Sequence, residues 1–514
     1  MGNPRLEIQQ LKVRQIIDEY RSGLLVIPEF QREYVWKPSQ APKLIDSLYR
    51  GYPVSVLLLW TSDADVRARR REPRPARGRI SWLIDGQQRV ITLSRVMSGD
   101  EGIEVVYNPD EDRFQLANAA TRKDDDWVKV SDVLDDVTYR QMRRSLPEGS
   151  RGQKREAKYE QVRKVLDYEI PAVRMIDHSF DEAVDAFTRI NRLGVKLKTE
   201  DIISARVAAK HTGFIFDEVV PFVAKLRNEG YSRLNVMHLF HACAFVAMPD
   251  ARNRTPLHAL TRAEVSTAWK ATKQATEAAI ALVRNQFGLI NMDIIWSGAL
   301  LVPVIAICAS TSPGDRDEQG IAGWLAMAGL RHRYSASTKT ALDQDLRACR
   351  SDDPIGKLLS NLRRDEGGFG AAPSDFKGAV NDKGALFALY LACRHRGLHD
   401  LLTGTPILLQ ANIDRHHIMP RAQFPERSRP QADTLGNIAF ITGGANRQIG
   451  AESPDVYLPK VSREVLRSQC IPLDERLWRK SSCEEFWRQR RELLASAFND
   501  YLRKMLPGRR VDDA

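Results

Sequence analysis

The sequence predicts a multidomain protein of the α+β class, and three observations support this prediction. Two strand-length apolar runs, residues 54–60 and 80–84, lie in the N-terminal part among segments with helical spacing. From about residue 202 to residue 362 the apolar pattern is mainly helical. Near the C-terminus, a short apolar run at residues 440–442 follows a pair of histidines. A chain of 514 residues is long enough for two to four domains.

The first strand is expected to lie between a helix and an exposed loop. Apolar residues at helical spacing from Leu44 to Tyr49 predict an amphipathic helix that ends near Gly51. Residues 67–79 are rich in arginine and proline, which predicts a solvated connection to the second strand. The same loop could also contact a phosphate backbone.

A polar turn follows the second strand. The chain reads DGQQR after residues 80–84, and apolar residues then return at helical spacing. A strand, a glycine turn and a helix start place free backbone N–H groups where phosphates bind well, although Asp-Gly is also ordinary turn chemistry. Arg89 could fork onto a phosphate, and Asp85 could hold a metal or a water. The residues of this turn are Asp85, Gly86, Gln87, Gln88 and Arg89.

A pair of adjacent histidines near the C-terminus predicts a hydrolytic site. His416 and His417 are followed by an apolar residue and Pro420, and Asn437 and Asn446 lie downstream. One imidazole can bind a divalent cation while its neighbour takes a proton from water. A strand with the histidines, a loop held by Asn437 and a helix that presents Asn446 would converge on one ion. The pattern therefore predicts a one-metal phosphodiesterase.

The final helical segment is predicted to pack against the core. Phe486, Trp487, Leu494 and Phe498 belong to an apolar stripe at helical spacing, which is typical of core packing. The arginines on its other faces are expected to be solvated. Residues 365–373 are rich in glycine and form the clearest linker candidate.

Composition limits the class of partner and the compartment. The net charge of +11 and the pI near 9.3 indicate an anionic partner, most simply nucleic acid, although many basic proteins bind no polymer. The six cysteines form no CxxC pair, so neither a disulfide framework nor a zinc ribbon is expected, and a reducing cytoplasm is predicted. The N-terminus lacks the apolar core of a signal peptide. Residues 295–309 are too few to cross a membrane and contain Pro303, which predicts a buried helix.

Residues 405–460 resemble the HNH nuclease family, which has a ββα-metal fold. The resemblance implies that His417 is the general base that deprotonates the attacking water. It also implies that His416 and Asn446 bind the metal. Mg²⁺ or another divalent cation suits this mixture of oxygen and imidazole ligands.

The same resemblance implies supporting roles for three neighbours. Asn437 matches the residue that braces the loop. Asp414 stands where an acidic residue often precedes the histidine pair, so it is expected to orient His416 or to reach the ion. Arg447 follows the metal-binding Asn446 and is expected to contact DNA.

Four features of the N-terminal part together resemble the GmrSD-type N-terminal family, over roughly residues 10–205. They are IPEFQREYVW, an apolar strand, IDGQQR and FxRxNxxGxxL. The resemblance implies a ParB/sulfiredoxin-like fold that binds and hydrolyses an NTP at the DGQQR turn, with Asp85 and Arg89 taking part in hydrolysis. It further implies a role in restriction of foreign DNA. The implied nucleotide-site residues are Asp85, Gly86, Gln87, Gln88, Arg89, Gln31 and Arg32, with Arg189 and Asn191 as further candidates.

The predicted organisation is a sensor domain at residues 1–205, a helical region at 206–370 and a nuclease domain at 371–514. This fusion predicts a modification-dependent DNA endonuclease or nickase of a phage-defence system, regulated by NTP binding and hydrolysis. Its expected partners are modified or phage DNA, such as glucosylated or phosphorothioated DNA, and a nucleoside triphosphate, with no membrane. A two-fold dimer is left open.

Two other functions fit the same features. In the first, the ParB-like region is a DNA or nucleotide sensor and the nuclease domain is inactive. In the second, the protein is a transcriptional or plasmid-partition regulator, since ParB-like folds also serve there. DNA cleavage in the presence of Mg²⁺ separates the enzyme from both alternatives.

Overall fold

The computed structural model divides the chain into two compact units, residues 1–218 and 219–514. Both units combine helices and strands, so the predicted mixture of α and β structure is confirmed. Gln31, Arg32, Asn191 and the arginine-rich loop at 67–79 lie outside the described residues. The structure describes residues 4–28, 34, 36–62, 80–179, 182–183, 185–186, 189, 199–211, 213–248, 257–335, 338–366, 369–408 and 413–511.

The first unit contains a five-stranded mixed sheet. Its strands are β1 (Arg5–Lys12), β2 (Leu25–Val26), β3 (Leu57–Ser62), β4 (Ile80–Asp85) and β8 (Glu169–Ile176), and three further strands lie between β4 and β8. The strand order is β1-β8-β3-β4-β2. The pairs β2–β4 and β3–β8 are parallel, whereas β1–β8 and β3–β4 are antiparallel.

Strand β3 begins later than the sequence predicts. The expected strand covers residues 54–60, but the ladder starts at Leu57. Ser55 has a φ of 71°, in the left-handed region, which interrupts an extended chain. The carbonyls of Val54 and Val56 accept hydrogen bonds from the guanidinium of Arg89. A side chain from the DGQQR turn therefore fixes the segment that precedes β3.

A smaller antiparallel sheet completes the strands of the first unit. It consists of β5 (Val105–Asn108), β6 (Arg113–Leu116) and β7 (Val128–Lys129), with β5 in the middle. The helices are α1 (Val13–Ser22), α2 (Gln40–Tyr49), α3 (Gln87–Met97), α4 (Val130–Leu134), α5 (Asp136–Arg144), α6 (Ser150–Arg163) and α7 (Thr199–Lys210). Both sheets and most of these helices contribute to one apolar core. Helix α2 is the predicted amphipathic helix.

The second unit is helical up to residue 366 among the residues described there, as predicted. Its helices are α8 (Val220–Asn228), α9 (Val236–Ala247), α10 (Arg262–Phe287), α11 (Leu301–Ser310), α12 (Glu318–Leu330), α13 (Thr338–Ala348), α14 (Pro354–Glu366), α15 (Lys383–His395), α16 (Arg429–Ala432), α17 (Gly443–Ile449), α18 (Pro454–Tyr457), α19 (Arg463–Ser468) and α20 (Cys483–Met505). The apolar run with Pro303 forms the buried helix α11. Pro303 lies in its first turn, where a missing N–H costs nothing. None of the described helices is long and apolar enough to span a membrane.

The last part of the second unit contains a two-stranded antiparallel ladder. Its strands are β9 (Ile413–His417) and β10 (Ile438–Thr442). A local apolar core beneath the ladder includes Ile418, Ile441 and Phe486. Helix α20 buries its apolar stripe, as predicted.

The predicted linker is packed in its described part. Phe369 is fully buried, and the backbone N–H of Ala371 donates to the side chain of Asn499 on α20 at 2.7 Å. The Asn499 amide also donates to the Ala371 carbonyl, at 3.1 Å. Residues 369–371 therefore pack against α20.

Candidate functional site

The β9–β10 ladder and the helix that follows it bring the predicted metal ligands together. His416 on β9 lies opposite Ala439 on β10. Helix α17 begins directly after β10, where the Thr442 hydroxyl accepts a hydrogen bond from the backbone N–H of Ala445 at 3.3 Å. This cap satisfies one of the N–H groups that a first helical turn leaves free. The resulting β–β–α arrangement places Asn446 of α17 beside β9.

Asn437 fixes the backbone on either side of the site. Its side chain is fully buried. The amide oxygen accepts from the backbone N–H of Met419 at 2.8 Å, and the amide nitrogen donates to the carbonyls of Met419 and Ala432 at 3.0 and 2.9 Å. Asn437 therefore ties the chain just after the histidine pair to the end of α16.

The His416 imidazole has a partner on each ring nitrogen. Its Nδ1 lies 3.0 Å from Oδ1 of Asn446, and its Nε2 lies 3.2 Å from the hydroxyl of Tyr457. That hydroxyl donates to the carbonyl of Ile418 at 3.1 Å. The Asn446 amide nitrogen donates to Oδ2 of Asp414 at 3.1 Å.

These contacts suit either neutral tautomer of His416, and metal binding at Nδ1 requires the one with its proton on Nε2. Burial raises the pKa of Tyr457, so its phenol stays protonated and donates to the backbone. In the metal-binding tautomer, the Tyr457 oxygen accepts the Nε2–H of His416 and Nδ1 keeps its lone pair. Because the Asn446 amide nitrogen points to a carboxylate, Oδ1 faces Nδ1. In that tautomer Nδ1 and Oδ1 present lone pairs to each other and can share a cation, whereas in the other tautomer Nδ1–H donates to Oδ1.

Electrostatics keep His416 neutral more readily than an ordinary histidine. Burial lowers the pKa of His416, the Asn446 contact opposes this, and the nearby ring of His417 lowers the pKa further. A neutral imidazole is the form that binds metal ions.

The donor set fits a single hard cation. Two ligands at right angles and about 2.1 Å from one octahedral ion are separated by about 3.0 Å, which equals the distance between His416 Nδ1 and Asn446 Oδ1. Asp414 accepts a hydrogen bond from the amide of Asn446, and among the described residues it makes none with His416. Across the described ranges, no group of three or more His, Cys, Asp or Glu side chains has a metal-binding arrangement. The two-residue set therefore depends on the Asn446 carboxamide, with waters and substrate oxygens as the remaining ligands.

His417 is oriented by an aspartate. Its Nε2 lies 2.9 Å from Oδ1 of Asp433, whose other oxygen lies 3.4 Å from the guanidinium of Arg421. The pair is mostly buried, with about a quarter of each side chain exposed. Within the described part of the chain, Nδ1 of His417 has no hydrogen-bond partner. An Nε2–H donated to Asp433 leaves the lone pair on Nδ1, which can accept a proton from water.

The DGQQR turn has the predicted strand–glycine–helix form. Gly86 separates β4 from α3 and has a φ of 104°. A Cβ at this position would lie 2.2 Å from a methyl carbon of Leu57. Only glycine therefore fits here, for both conformational and steric reasons.

Arg89 is bound to the protein itself. Its guanidinium donates to the carbonyls of Val54 and Val56 at 2.6 and 2.8 Å, and it lies 3.6 Å from Oδ2 of Asp85. Burial lowers the pKa of Arg89, and the Asp85 carboxylate opposes that shift. The expected contact between Arg89 and a phosphate would require the guanidinium to leave these two carbonyls.

The other described nucleotide-site candidates differ in accessibility. Gln87 and Gln88 are buried, and the Gln88 side chain accepts from the backbone N–H of Trp36 at 3.2 Å. The Asp85 side chain is about one-third exposed. Arg189 is exposed.

One comparison with known proteins covers this first unit. Residues 13–208 match the family model described as GmrSD restriction endonuclease, N-terminal domain. The N-terminal part is similar to that GmrSD domain. The match includes the strands of the first unit from β2 to β8, spans less than half of the chain, and supports a GmrSD-type restriction protein. A comparison with curated proteins gave no match.

Beyond the GmrSD-like part, four supporting residues escape the sequence analysis. Asp433 and Tyr457 contact the two histidines, and Asp400 accepts from the backbone N–H of Thr442 at 2.7 Å. Arg490 is fully buried and donates to the carbonyls at the start of β10. The expectation that the arginines of α20 are solvated is therefore wrong for Arg490. No motif spacing marks these four residues, since each acts from a loop or from a distant helix.

Arg447 lies on the solvent side of α17. Its side chain is exposed, and one guanidinium nitrogen lies 3.7 Å from the position that a Cβ on Gly443 would take. Its place directly after Asn446 leaves it accessible beside the candidate metal ligands.

Proposed function

We propose that this protein is a metal-dependent DNA endonuclease or nickase of a restriction system that acts against phage. The observation that carries the proposal is the position of His416 Nδ1 and Asn446 Oδ1, 3.0 Å apart on a β–β–α unit. The similarity of residues 13–208 to a restriction endonuclease domain points to DNA as the substrate. We assign residues 405–460 to an HNH-type ββα-metal site and the first unit to a ParB/sulfiredoxin-like sensor.

His417 is proposed as the general base. Its Nδ1 takes a proton from the attacking water, and Asp433 accepts the Nε2–H and stabilises the positive ring that results. His416 and Asn446 would bind Mg²⁺, with Asp414 orienting the Asn446 amide. When bound, Mg²⁺ would supply charge stabilisation at the scissile phosphate and at the leaving 3′ oxygen. Arg447 is exposed beside this site and is proposed to contact the DNA backbone.

The first unit is proposed to regulate cutting through an NTP. The N-terminal turn of α3 offers backbone N–H groups to a phosphate, with the partly exposed Asp85 beside them. Arg89 supports this turn by binding the Val54 and Val56 carbonyls. We propose that recognition of modified DNA and NTP turnover in this unit permit cleavage by His417.

The decisive experiment is a DNA cleavage assay on the intact protein with Mg²⁺. His417→Ala should abolish cleavage and leave DNA binding unchanged, because only the proton acceptor is lost. His399→Ala is the matched control, since His399 is a half-buried histidine of the same unit whose Nδ1 contacts the Gly397 carbonyl. Continued cutting by the His417 variant would refute the assigned base. Absence of cutting by the unaltered protein on all DNA tested would refute the nuclease proposal.

Regulation is tested by running the same assay as a grid. Plain, glucosylated and phosphorothioated DNA are each incubated with no nucleotide and with each NTP. Modification dependence predicts that one modified substrate is cut faster than plain DNA, and NTP regulation predicts a rate that changes with one nucleotide. Equal rates across the grid would leave a nuclease without either form of control.

A further inference from the structure

Strand β1 forms one edge of the five-stranded sheet in the first unit. It pairs with β8 along its whole length, from Arg5 to Lys12, and the register runs without a shift. Among the strands that the structure describes, none lies on the other side of β1. Edge strands are commonly protected by a bulge that breaks such a regular register. The outward N–H and C=O groups of β1 therefore form a template for another strand.

One face of β1 is apolar and exposed. Leu6 is 62% exposed, and Ile8 is 81% exposed, the highest fraction among the large hydrophobic residues that the structure describes. Residues two apart lie on the same face of a strand, and the exposed Pro4 continues that spacing ahead of Leu6. Exposed apolar side chains on an open edge mark a surface that pairs with another chain.

The other face of the same segment carries one charge of each sign. Arg5 and Glu7 lie on either side of Leu6, and their exposed side chains form an ion pair at 3.1 Å. An exposed pair of this kind contributes little to the stability of a single chain. Either partner can therefore exchange its contact for the same contact with another chain. A segment with opposite charges at equal spacing from a central residue is complementary to itself when it runs antiparallel.

A two-fold axis at Leu6 makes two copies of this segment complementary. Arg5 then faces Glu7 of the second copy, and Leu6 faces its own counterpart. Pro4 faces Ile8, so the apolar residues of both copies share one face. An axis at Glu7 would instead place two carboxylates opposite each other, which is unfavourable, and an axis at Ile8 would place neither charge opposite its complement. The charges therefore select the register centred on Leu6.

We propose that β1 pairs with β1 of a second copy of this chain, in an antiparallel ladder centred on Leu6. The pairing joins the five-stranded sheets of two copies across a two-fold axis and produces a homodimer. Backbone hydrogen bonds form between the two edges, Leu6 and Ile8 make apolar contacts on one face, and Arg5 and Glu7 form ion pairs on the other. This dimer does not depend on the proposed nuclease reaction.

The extent of the ladder predicts a weak dimer. Standard interfaces involve about 20–30 residues on each side, and roughly five residues of each copy pair here. Interfaces below about 1,200 Å² belong to weak and transient complexes. We therefore expect a Kd in the micromolar range, so that the protein changes from monomer to dimer as its concentration rises.

The test exchanges the charges of the ladder in the full-length protein. Arg5→Glu makes both charges negative, and Glu7→Arg makes both positive, so each variant alone faces like charges and should raise the dimer Kd by about tenfold or more. An equimolar mixture of the two variants should form a heterodimer with a Kd near the original one, because each acidic position then faces a basic one. Sedimentation equilibrium over the micromolar range measures all three constants. Recovery in the mixture also shows that both variants are folded.

The apolar face is tested at its centre. Leu6→Lys should abolish the dimer, because two like charges then face each other where two leucines made contact. Val137→Lys is the matched control, since Val137 is 61% exposed and lies on α5 of the same unit. Glu111→Arg and Arg113→Glu are the matched charge controls, because this exposed ion pair has the same spacing in the chain and a distance of 3.4 Å. All three control variants should dimerise like the unaltered protein.

Three results would overturn the proposal. The first is an unaltered protein that stays monomeric throughout the micromolar range. The second is a dimer with the same Kd in the Leu6→Lys and Val137→Lys variants, which would place the contact elsewhere. The third is a dimer that the single charge variants weaken and their mixture does not recover, which would exclude the two-fold register.

Discussion

One ring nitrogen of His417 makes a hydrogen bond within the protein, and the other can accept a proton. Nε2 contacts Asp433 at 2.9 Å, and Nδ1 has no partner among the described residues. The proton position in the neutral ring is therefore set by Asp433. A base that carries its proton on the wrong nitrogen cannot accept another from water, so the aspartate determines whether the ring is competent.

Asp433→Asn tests this dependence. The side-chain amide can donate to Nε2 and so favours the tautomer with a proton on Nδ1. We expect kcat for DNA cleavage to fall by about 10²–10⁴-fold, with DNA affinity unchanged. Single-turnover cleavage and binding assays measure the two quantities. Asp455→Asn, an exposed aspartate on α18, is the control, and full activity of the Asp433 variant would remove this role.

Tyr457 affects metal binding through His416. Its hydroxyl lies 3.2 Å from Nε2 and, by accepting the Nε2–H, stabilises the tautomer that presents a lone pair at Nδ1. We expect Tyr457→Phe to weaken Mn²⁺ or Mg²⁺ binding by about 10–100-fold, measured by titration calorimetry without substrate. Tyr501→Phe is a matched control because the buried Tyr501 hydroxyl has no partner within the described structure. Equal metal affinity in both variants would contradict the orienting role.

At the scale of elements, the turn between β4 and α3 has a strict steric requirement. Gly86 has a φ of 104°, and a Cβ added there would lie 2.2 Å from a methyl carbon of Leu57. Gly51 has a φ of 72° and open space around the same position. The two glycines share the conformational requirement, and only Gly86 also has the contact.

Gly86→Ala should therefore destabilise the first unit more than Gly51→Ala. Positive φ costs about 1 kcal/mol for alanine at either position. The contact with Leu57 adds roughly 1–3 kcal/mol at Gly86, because the packed core must shift. Chemical denaturation of the two variants measures the difference, and equal midpoints would show that the turn adjusts without cost.

The sequence predicts these elements well where the information is local. The apolar runs give α2, β4, α11 and α20, because burial of a periodic face needs only neighbouring residues. The start of β3 is predicted wrongly for two reasons. Ser55 has a left-handed φ, and Arg89 donates hydrogen bonds to the carbonyls of Val54 and Val56. Arg89 lies 35 and 33 residues after these two partners, so the interaction is not local in the sequence. The DGQQR turn is visible from the sequence, and the partners of its arginine are not.

The candidate metal and base residues are also predicted from a short stretch. His416, His417, Asn437 and Asn446 belong to one β–β–α unit, whose strand–loop–helix order is visible in the chain. Their orienting partners come from elsewhere, since Asp433 lies in a loop, Tyr457 follows in a later helix and Arg490 lies on α20. Tertiary packing brings these partners to the site, and their spacing in a single sequence does not predict that packing.

At the scale of the whole molecule, the proposed metal ion on the second unit and the proposed NTP on the first unit should each protect a different set of backbone amides from hydrogen exchange. A ligand at 100 times its Kd stabilises the state that binds it by about 2.7 kcal/mol. We expect Mn²⁺ to slow amide hydrogen exchange in β9, β10 and α17, and an NTP to slow exchange at the start of α3. Hydrogen-exchange mass spectrometry of the intact protein measures both effects. If Mn²⁺ protects only other segments, the proposed metal site is contradicted. If an NTP does not slow exchange near Gly86, the proposed nucleotide site is contradicted.

Arg490 also bears on the order in which this protein matures. Its guanidinium donates to the carbonyl of Ile438, which it follows by 52 residues in the chain. During translation, the ladder that carries the histidines therefore leaves the ribosome well before the residue that secures it. Until α20 has been synthesised and docked, the carbonyls at the start of β10 lack their buried cation. The nascent ladder thus lacks this support at first, and the proposed DNA-cutting geometry is complete only after α20 has emerged.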